Sequence, residues 1–109
     1  MSLYAGNRTK AGTMVAVDGD PLEMRLDLRN HSPTGFDWGY HGSGAAQLAL
    51  AILAHHLGDD QEALNLYQRF KWAIVAELPK HRWLLTSREI DAALQRIREN
   101  EAHGQCPAS

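Results

Sequence analysis

Gly35-Phe36-Asp37-Trp38-Gly39-Tyr40-His41-Gly42-Ser43-Gly44 runs straight into Ala45-Ala46-Gln47-Leu48-Ala49-Leu50-Ala51-Ile52-Leu53-Ala54-His55-His56-Leu57, and Gly58 follows. The first half is too rich in glycine for a regular element, because glycine opens backbone conformations that other residues resist. The second half is a helix. Ser43 is expected to cap its start and Gly58 to end it in a left-handed turn. Its side chains are apolar nearly all round rather than along one stripe, which predicts the central, most buried helix of the fold.

Upstream, Leu22, Met24, Leu26 and Leu28 alternate with Glu23, Arg25, Asp27 and Arg29. A period of two predicts a strand with its leucine face on the core. Before it, Thr13 to Val17 is a short β-branched run, and Asp18-Gly19-Asp20-Pro21 is turn chemistry between the two. Tyr4 to Arg8 is a further candidate strand. Downstream, Asp59 with Glu62 predicts the start of a second helix that lasts until Pro79, with Tyr67, Phe70, Ile74 and Leu78 at helical spacing. The short link after Gly58 makes the first two helices an antiparallel hairpin. Trp83-Leu84-Leu85 is a candidate edge strand. Thr86 and Glu89 form a capping box opening a third helix, with Ile90, Ala93, Leu94 and Ile97 as its inner stripe. The expected architecture is α+β: a small antiparallel N-terminal sheet of two to four strands packed on three helices, in one domain over 1–103, with a polar tail at 104–109.

Composition narrows the function classes. At 109 residues with a net charge of −2, the chain shows no run of one sign. Residues 1–30 carry Arg8, Lys10, Arg25 and Arg29 against Asp18, Asp20, Glu23 and Asp27. Binding driven by phosphate contacts usually leaves a basic stripe, so charge does not favour nucleic acid, although folding could gather Arg82, Arg88, Arg96 and Arg98. The lone Cys106 cannot form an internal disulfide or a cysteine zinc site. The longest apolar run, Leu48 to Ala54, is far short of the ~20 residues that cross a bilayer. With no signal-peptide layout at the N-terminus, the expected location is the cytoplasm, with no membrane partner.

Chemistry concentrates in Phe36, Asp37, Trp38, Tyr40, His41, Gly42, Ser43 and Gly44. Glycines at a helix N-terminus leave unpaired N–H groups for a phosphate or carboxylate, and the rings beside them could stack on a ligand or meet a partner. A plain alternative is a structural crossing in which Phe36, Trp38 and Tyr40 alternate into the core. No Walker lysine follows Gly42-Ser43-Gly44, and Gly-x-Ser-x-Gly is absent. Asp37 and His41 could form an acid–base pair only if a cleft brought them together. His55 and His56 are adjacent and point about 100° apart on a helix, so they cannot share a metal ion. Neither a cofactor nor a metal is expected, and no catalytic set stands out. Trp72 and Trp83 have the character of core or interface anchors.

Trp38-Gly39-Tyr40-x-Gly42-Ser43-Gly44 followed by Ala46-Gln47-Leu48-Ala49-Leu50-Ala51-Ile52-Leu53 resembles the signature of DUF6166, a family of small uncharacterised proteins of bacteria, plasmids and phages. Tyr4-x-Gly6-x-Arg8, the turn at Val15 to Gly19 and Tyr67-x-x-Phe70 are similar too, so the likeness covers nearly the whole chain. One departure is Ala45, where the family pattern carries proline. The resemblance implies a phage or mobile-element setting rather than an activity. The leading expectation is therefore a non-enzymatic module binding a macromolecular partner, preferably a protein, through the loop at 35–44. The alternatives are a small enzyme or nucleotide- and phosphate-binding protein using Gly42–Gly44, and a nucleic-acid-binding accessory protein. A homo-oligomer is also compatible with the sequence.

Overall fold

The computed structural model describes residues 2–102. Among them the chain forms strands β1 (Leu3–Thr9), β2 (Gly12–Val17) and β3 (Asp20–Pro21), then helix α1 (Ser43–Leu57) and helix α2 (Asp60–Ala73). A 3₁₀ turn at Val75–Glu77, strand β4 (Arg82–Thr86) and helix α3 (Ser87–Ala102) complete it. The α+β architecture expected from the sequence is the one observed. Cys106 and the 104–109 tail lie outside the described residues.

The four strands form one antiparallel sheet in the order β3-β2-β1-β4. Alternation along the strands sorts the two faces. Tyr4, Val15, Val17, Trp83 and Leu85 are buried and face the helices, whereas Leu3, Met14 and Leu84 on the other face are exposed. Helix α1 is buried at every position from Gly44 to Ala54, as its all-round apolar pattern requires. Ala63, Leu66, Tyr67 and Phe70 of α2 and Ile90, Ala93, Leu94 and Ile97 of α3 complete the same core. Gly58 ends α1 in the left-handed region (φ 64°), and its N–H donates to the Ala54 carbonyl. The capping box on α3 is reciprocal: the Thr86 N–H donates to Glu89 Oε1 (2.8 Å) and the Glu89 N–H to Thr86 Oγ1 (3.1 Å).

Three local expectations are corrected. The strand over Leu22–Arg29 does not form. After Pro21 the Leu22 N–H still donates to the Val15 carbonyl (3.0 Å), but Arg25 then turns into the left-handed region (φ 55°). The cause is Gln47, the polar residue within the buried stretch Gly44–Ala54 of α1, which is itself wholly buried. Its Nε2 donates to the carbonyls of Met24 (2.7 Å) and Arg29 (3.0 Å), and its Oε1 accepts from the N–H groups of His31 (2.8 Å) and Ser32 (3.1 Å). A side-chain amide thus replaces the neighbouring strand as the partner of this segment. Leu22 is buried, Met24 and Leu28 are half-buried, and Leu26 is exposed, so no single leucine face packs on α1.

The N-cap of α1 is Gly42, not Ser43. Gly42 is extended (φ −131°, ψ −179°) and its carbonyl accepts from the Ala46 N–H, so Ser43 is already the first helical residue. Helix α2 stops at Ala73 rather than running to Pro79. Proline restricts the residue before it, and Leu78 is accordingly extended (ψ 145°), which leaves room only for the 3₁₀ turn between. Asp59 caps α2 as expected, accepting from the Glu62 N–H (3.2 Å).

Gly6 on β1 lies under the indole of Trp83 on β4, its partner in register. A Cβ at position 6 would collide with Nε1, Cε2 and Cζ2 of that ring. Gly6→Ala is therefore expected to cost about 1–3 kcal/mol by forcing the ring off its seat. Calorimetric melting checks this. An unchanged transition would mean the indole does not rest on Gly6.

Candidate functional site

The glycine-rich loop is pinned from four directions. Thr13 of β2 donates its hydroxyl to the Phe36 carbonyl (2.6 Å). Arg8 of β1 pairs with Asp37 (2.7 Å) and also donates from Nε to the Lys80 carbonyl (2.9 Å). Trp38 donates from Nε1 to the same carbonyl (2.9 Å) and is fully buried, edge-on to Trp83 at 5.6 Å. The Gly39 N–H donates to the Val75 carbonyl (3.1 Å), and its positive φ (84°) is the bend that makes this possible. The Arg8 guanidinium lies 5.0 Å over the Trp38 ring, adding a cation–π contact.

Asp37 is the hub. Its Oδ1 accepts from Arg8 and from the Trp38 N–H (2.9 Å), and its Oδ2 accepts from the Tyr40 hydroxyl (2.9 Å). Burial pushes its carboxyl up, but the hydrogen bonds from Arg8, Trp38 and Tyr40 outweigh burial and hold it below the usual carboxylate range. The same bond raises the Tyr40 phenol, with burial adding to it. Asp37 is therefore a fixed anion, and the proton stays on Tyr40 at neutral pH.

The glycines of the signature are seats for these side chains. The Tyr40 ring occupies the space a Cβ on Gly42 would need, and Asp37 Cβ lies 2.6 Å from where a Gly44 Cβ would stand. A shallow cleft of about 380 Å³ opens beside them, lined by Thr13, Thr34, Phe36, Asp37, Tyr40 and Ser43 among others.

What faces outward is different from what the loop's composition suggests. Trp38 is interior and Phe36 is half-buried, while Tyr40 is 50% exposed and His41 and Ser43 are exposed. His41 does not meet Asp37. It stacks on Trp72 of α2, ring centroids 3.6 Å apart and planes at 32°. Trp72 is itself 60% exposed, with the Lys71 ammonium 5.8 Å from its ring centre. The His41–Trp72 stack thus joins the loop to α2, and the half-exposed Tyr40 precedes His41 in the chain.

Two links to the loop escaped the sequence. Arg8 is 29 positions from Asp37, and only its place in Tyr4-x-Gly6-x-Arg8 beside the loop motif hinted at a link. Trp72 was legible as a core or interface anchor, but its meeting with His41 of the loop carried no sequence signal. Three other histidines are engaged elsewhere: His55 with the buried Tyr4 (2.6 Å), His56 with Asp91 (2.6 Å) and His31 with Tyr67 (2.7 Å). Burial, reinforced by the nearby charge of Asp18, pushes the Tyr4 phenol up to about 12. Among the described residues no group of three potential ligands could hold a metal ion, and no helix is long and apolar enough to cross a membrane.

Comparison with known proteins gives one match. The model of a family of unknown function, DUF6166, matches residues 4–96. No curated protein and no solved structure matches the chain.

Proposed function

The chain belongs to DUF6166, a family of unknown function, and we propose from its site that it is a non-enzymatic module that binds a protein partner through Tyr40, His41 and Trp72. The observation that carries this reading is the exposure of Tyr40 and Trp72 on a rigidly braced frame. Large aromatics held still in water lose little further freedom on binding, which is the character of interface anchors. Lys71 beside Trp72 adds a cation, so the partner surface expected is an apolar pocket with an acidic rim. Phe36, Asp37, Trp38, Gly42 and Gly44 then serve the site by shaping it, and Ser43 lies at its margin. The mobile-element setting belongs to this proposal through the family resemblance, and a cytoplasmic location is proposed with it.

The phosphate-binding alternative has a repulsive neighbour. Asp37 packs its Cβ and backbone against Gly44 at the start of α1, which brings a residue held as an anion close to where an incoming anion would sit. A nucleic-acid role gains little from the arginines, since Arg98 pairs with Glu62 (3.3 Å) and Arg8 with Asp37.

The test is affinity capture by the tagged chain and by its Tyr40→Ala, Trp72→Ala double variant, after both give the same circular dichroism. Loss of two central anchors at ~2 kcal/mol or more each should weaken affinity for the true partner by roughly several-hundredfold or beyond. Equal recovery by the two proteins would remove the patch from the function.

A further inference from the structure

Arg25 takes up the acids of its surroundings and leaves the bases beside them unmatched. It holds both Asp27 (3.1 Å) and Asp60 (2.8 Å), while Glu62 is engaged by Arg98 (3.3 Å). Arg29, two positions beyond Asp27, donates to the Leu28 carbonyl instead (2.9 Å). Lys71 has no acid at helical spacing, since Tyr67, Gln68, Ile74 and Val75 stand three and four positions away. Among the described residues neither Arg29 nor Lys71 is ion-paired.

Both bases converge on His31. Tyr67 precedes Lys71 by four positions, so the two lie on one face of α2, and the Tyr67 hydroxyl meets His31 Nε2 (2.7 Å). The same hydroxyl accepts from Gln68 Nε2 (3.1 Å), and Gln47 of α1 fixes the His31 backbone by accepting its N–H (2.8 Å). Arg29 stands two residues upstream. Burial, then the charge of Lys71, then that of Arg29, hold the His31 imidazole below the usual histidine range, and no carboxylate acts in the opposite direction. On its other side the Lys71 ammonium lies 5.8 Å from the ring centre of Trp72, which stacks on His41. Lys71 thus connects a cationic corner to the exposed aromatics.

We propose that Lys71, Arg29 and His31 hold a carboxylate of the protein partner, supplied by a short acidic segment whose apolar residue rests on Trp72. This deepens the reading of Tyr40, His41 and Trp72 as a protein-binding surface and rests on it. Complementary charge selects the occupant: two unpaired cations and a histidine beside a ring favour an acid next to an apolar side chain. A phosphodiester strand needs cations along its whole path, whereas here they stand at one end and the fixed anion of Asp37 stands behind Tyr40 at the other. A carboxylate at this corner also favours the charged imidazole. Binding then takes up a proton at His31, whose neighbours are Tyr67 and Lys71 of α2, Arg29 of its own segment and the uncharged Gln47 of α1, and affinity rises as pH falls.

NMR titration of the full chain at low salt tests this with a blocked peptide in which glutamates flank a leucine–phenylalanine pair, and with its glutamine counterpart. The acidic peptide is expected to move the His31 ring and Trp72 indole signals together and to raise the pH at which His31 titrates. The glutamine peptide, and the acidic peptide on an Arg29→Gln, Lys71→Gln chain, should each bind about tenfold more weakly. An acidic peptide that moves neither signal at about 10 mM overturns the proposal. Equal binding of the two peptides at Trp72 overturns it too, yet leaves the aromatic surface as a protein-binding face. Movement of His31 without Trp72, Tyr40 or His41 sinks that reading and this one with it. A response of His31 to oligothymidylate or inorganic phosphate but not to the acidic peptide assigns the corner to phosphate and overturns the proposal. The wild-type titration needs no variant, so it decides the matter even if the double variant does not fold.

Discussion

Gln47→Leu is expected to lower stability by about 3–6 kcal/mol, although it replaces one buried side chain with another of similar size. The polar group in the middle of α1 is bonded to four backbone groups of the segment between the sheet and the loop: the carbonyls of Met24 and Arg29 and the N–H groups of His31 and Ser32. Leucine satisfies none of them. Each buried group left without a partner costs roughly 1–3 kcal/mol, and those that can reach water by local rearrangement cost less. The apolar gain of leucine, ~2 kcal/mol at most, offsets only part of this. For a domain of this size the melting temperature should fall by roughly 15 °C or more. Faster amide exchange at His31 and Ser32 should accompany it. A Gln47→Leu chain that melts within a few degrees of wild type would show that these bonds organise nothing.

Gln47 also marks the boundary of what the sequence disclosed. Elements governed by near neighbours were legible: α1 by its unbroken apolar surface, α2 by the Asp59 cap, α3 by Thr86 and Glu89, and β1, β2 and β4 by short apolar runs between turns. The 22–29 segment was misread because its alternating pattern is a true strand signal that a distant side chain overrides. Local pattern cannot register a hydrogen bond from a residue some 20 positions away. The candidate site shows the same division. Its glycines and rings stood out by density, but the roles of those residues depend on contacts across the fold. Arg8 reaches Asp37 from β1, Lys80 supplies the carbonyl that holds Trp38, and Trp72 comes from α2 to stack on His41. Alternation would have sent Phe36, Trp38 and Tyr40 together into the core, yet the bend at Gly39 turns Tyr40 away from Trp38.

That bend gives the second large effect. Trp38 and Trp72 are the same residue type placed in opposite circumstances. Trp38 is fully buried, hydrogen-bonded to Lys80 and edge-on to Trp83, with the Arg8 guanidinium over it. Truncation to alanine leaves a cavity that the pinned loop cannot close, and about 3–5 kcal/mol should be lost. Trp72 is 60% exposed, and its contacts with His41 and Lys71 are of the kind worth less than about 1 kcal/mol at a surface. A tryptophan kept in water at so small a return in stability is the reason to look for a partner there.

The direct measurement is urea unfolding of Trp38→Ala and Trp72→Ala side by side with wild type, followed by circular dichroism because both substitutions alter fluorescence. Trp38→Ala should unfold at much lower urea, with most or all of the native state lost at room temperature, and Trp72→Ala should track wild type to within about 1 kcal/mol. Equal losses in the two variants, or the larger loss at Trp72, would contradict the division between a buried frame and an outward-facing aromatic surface.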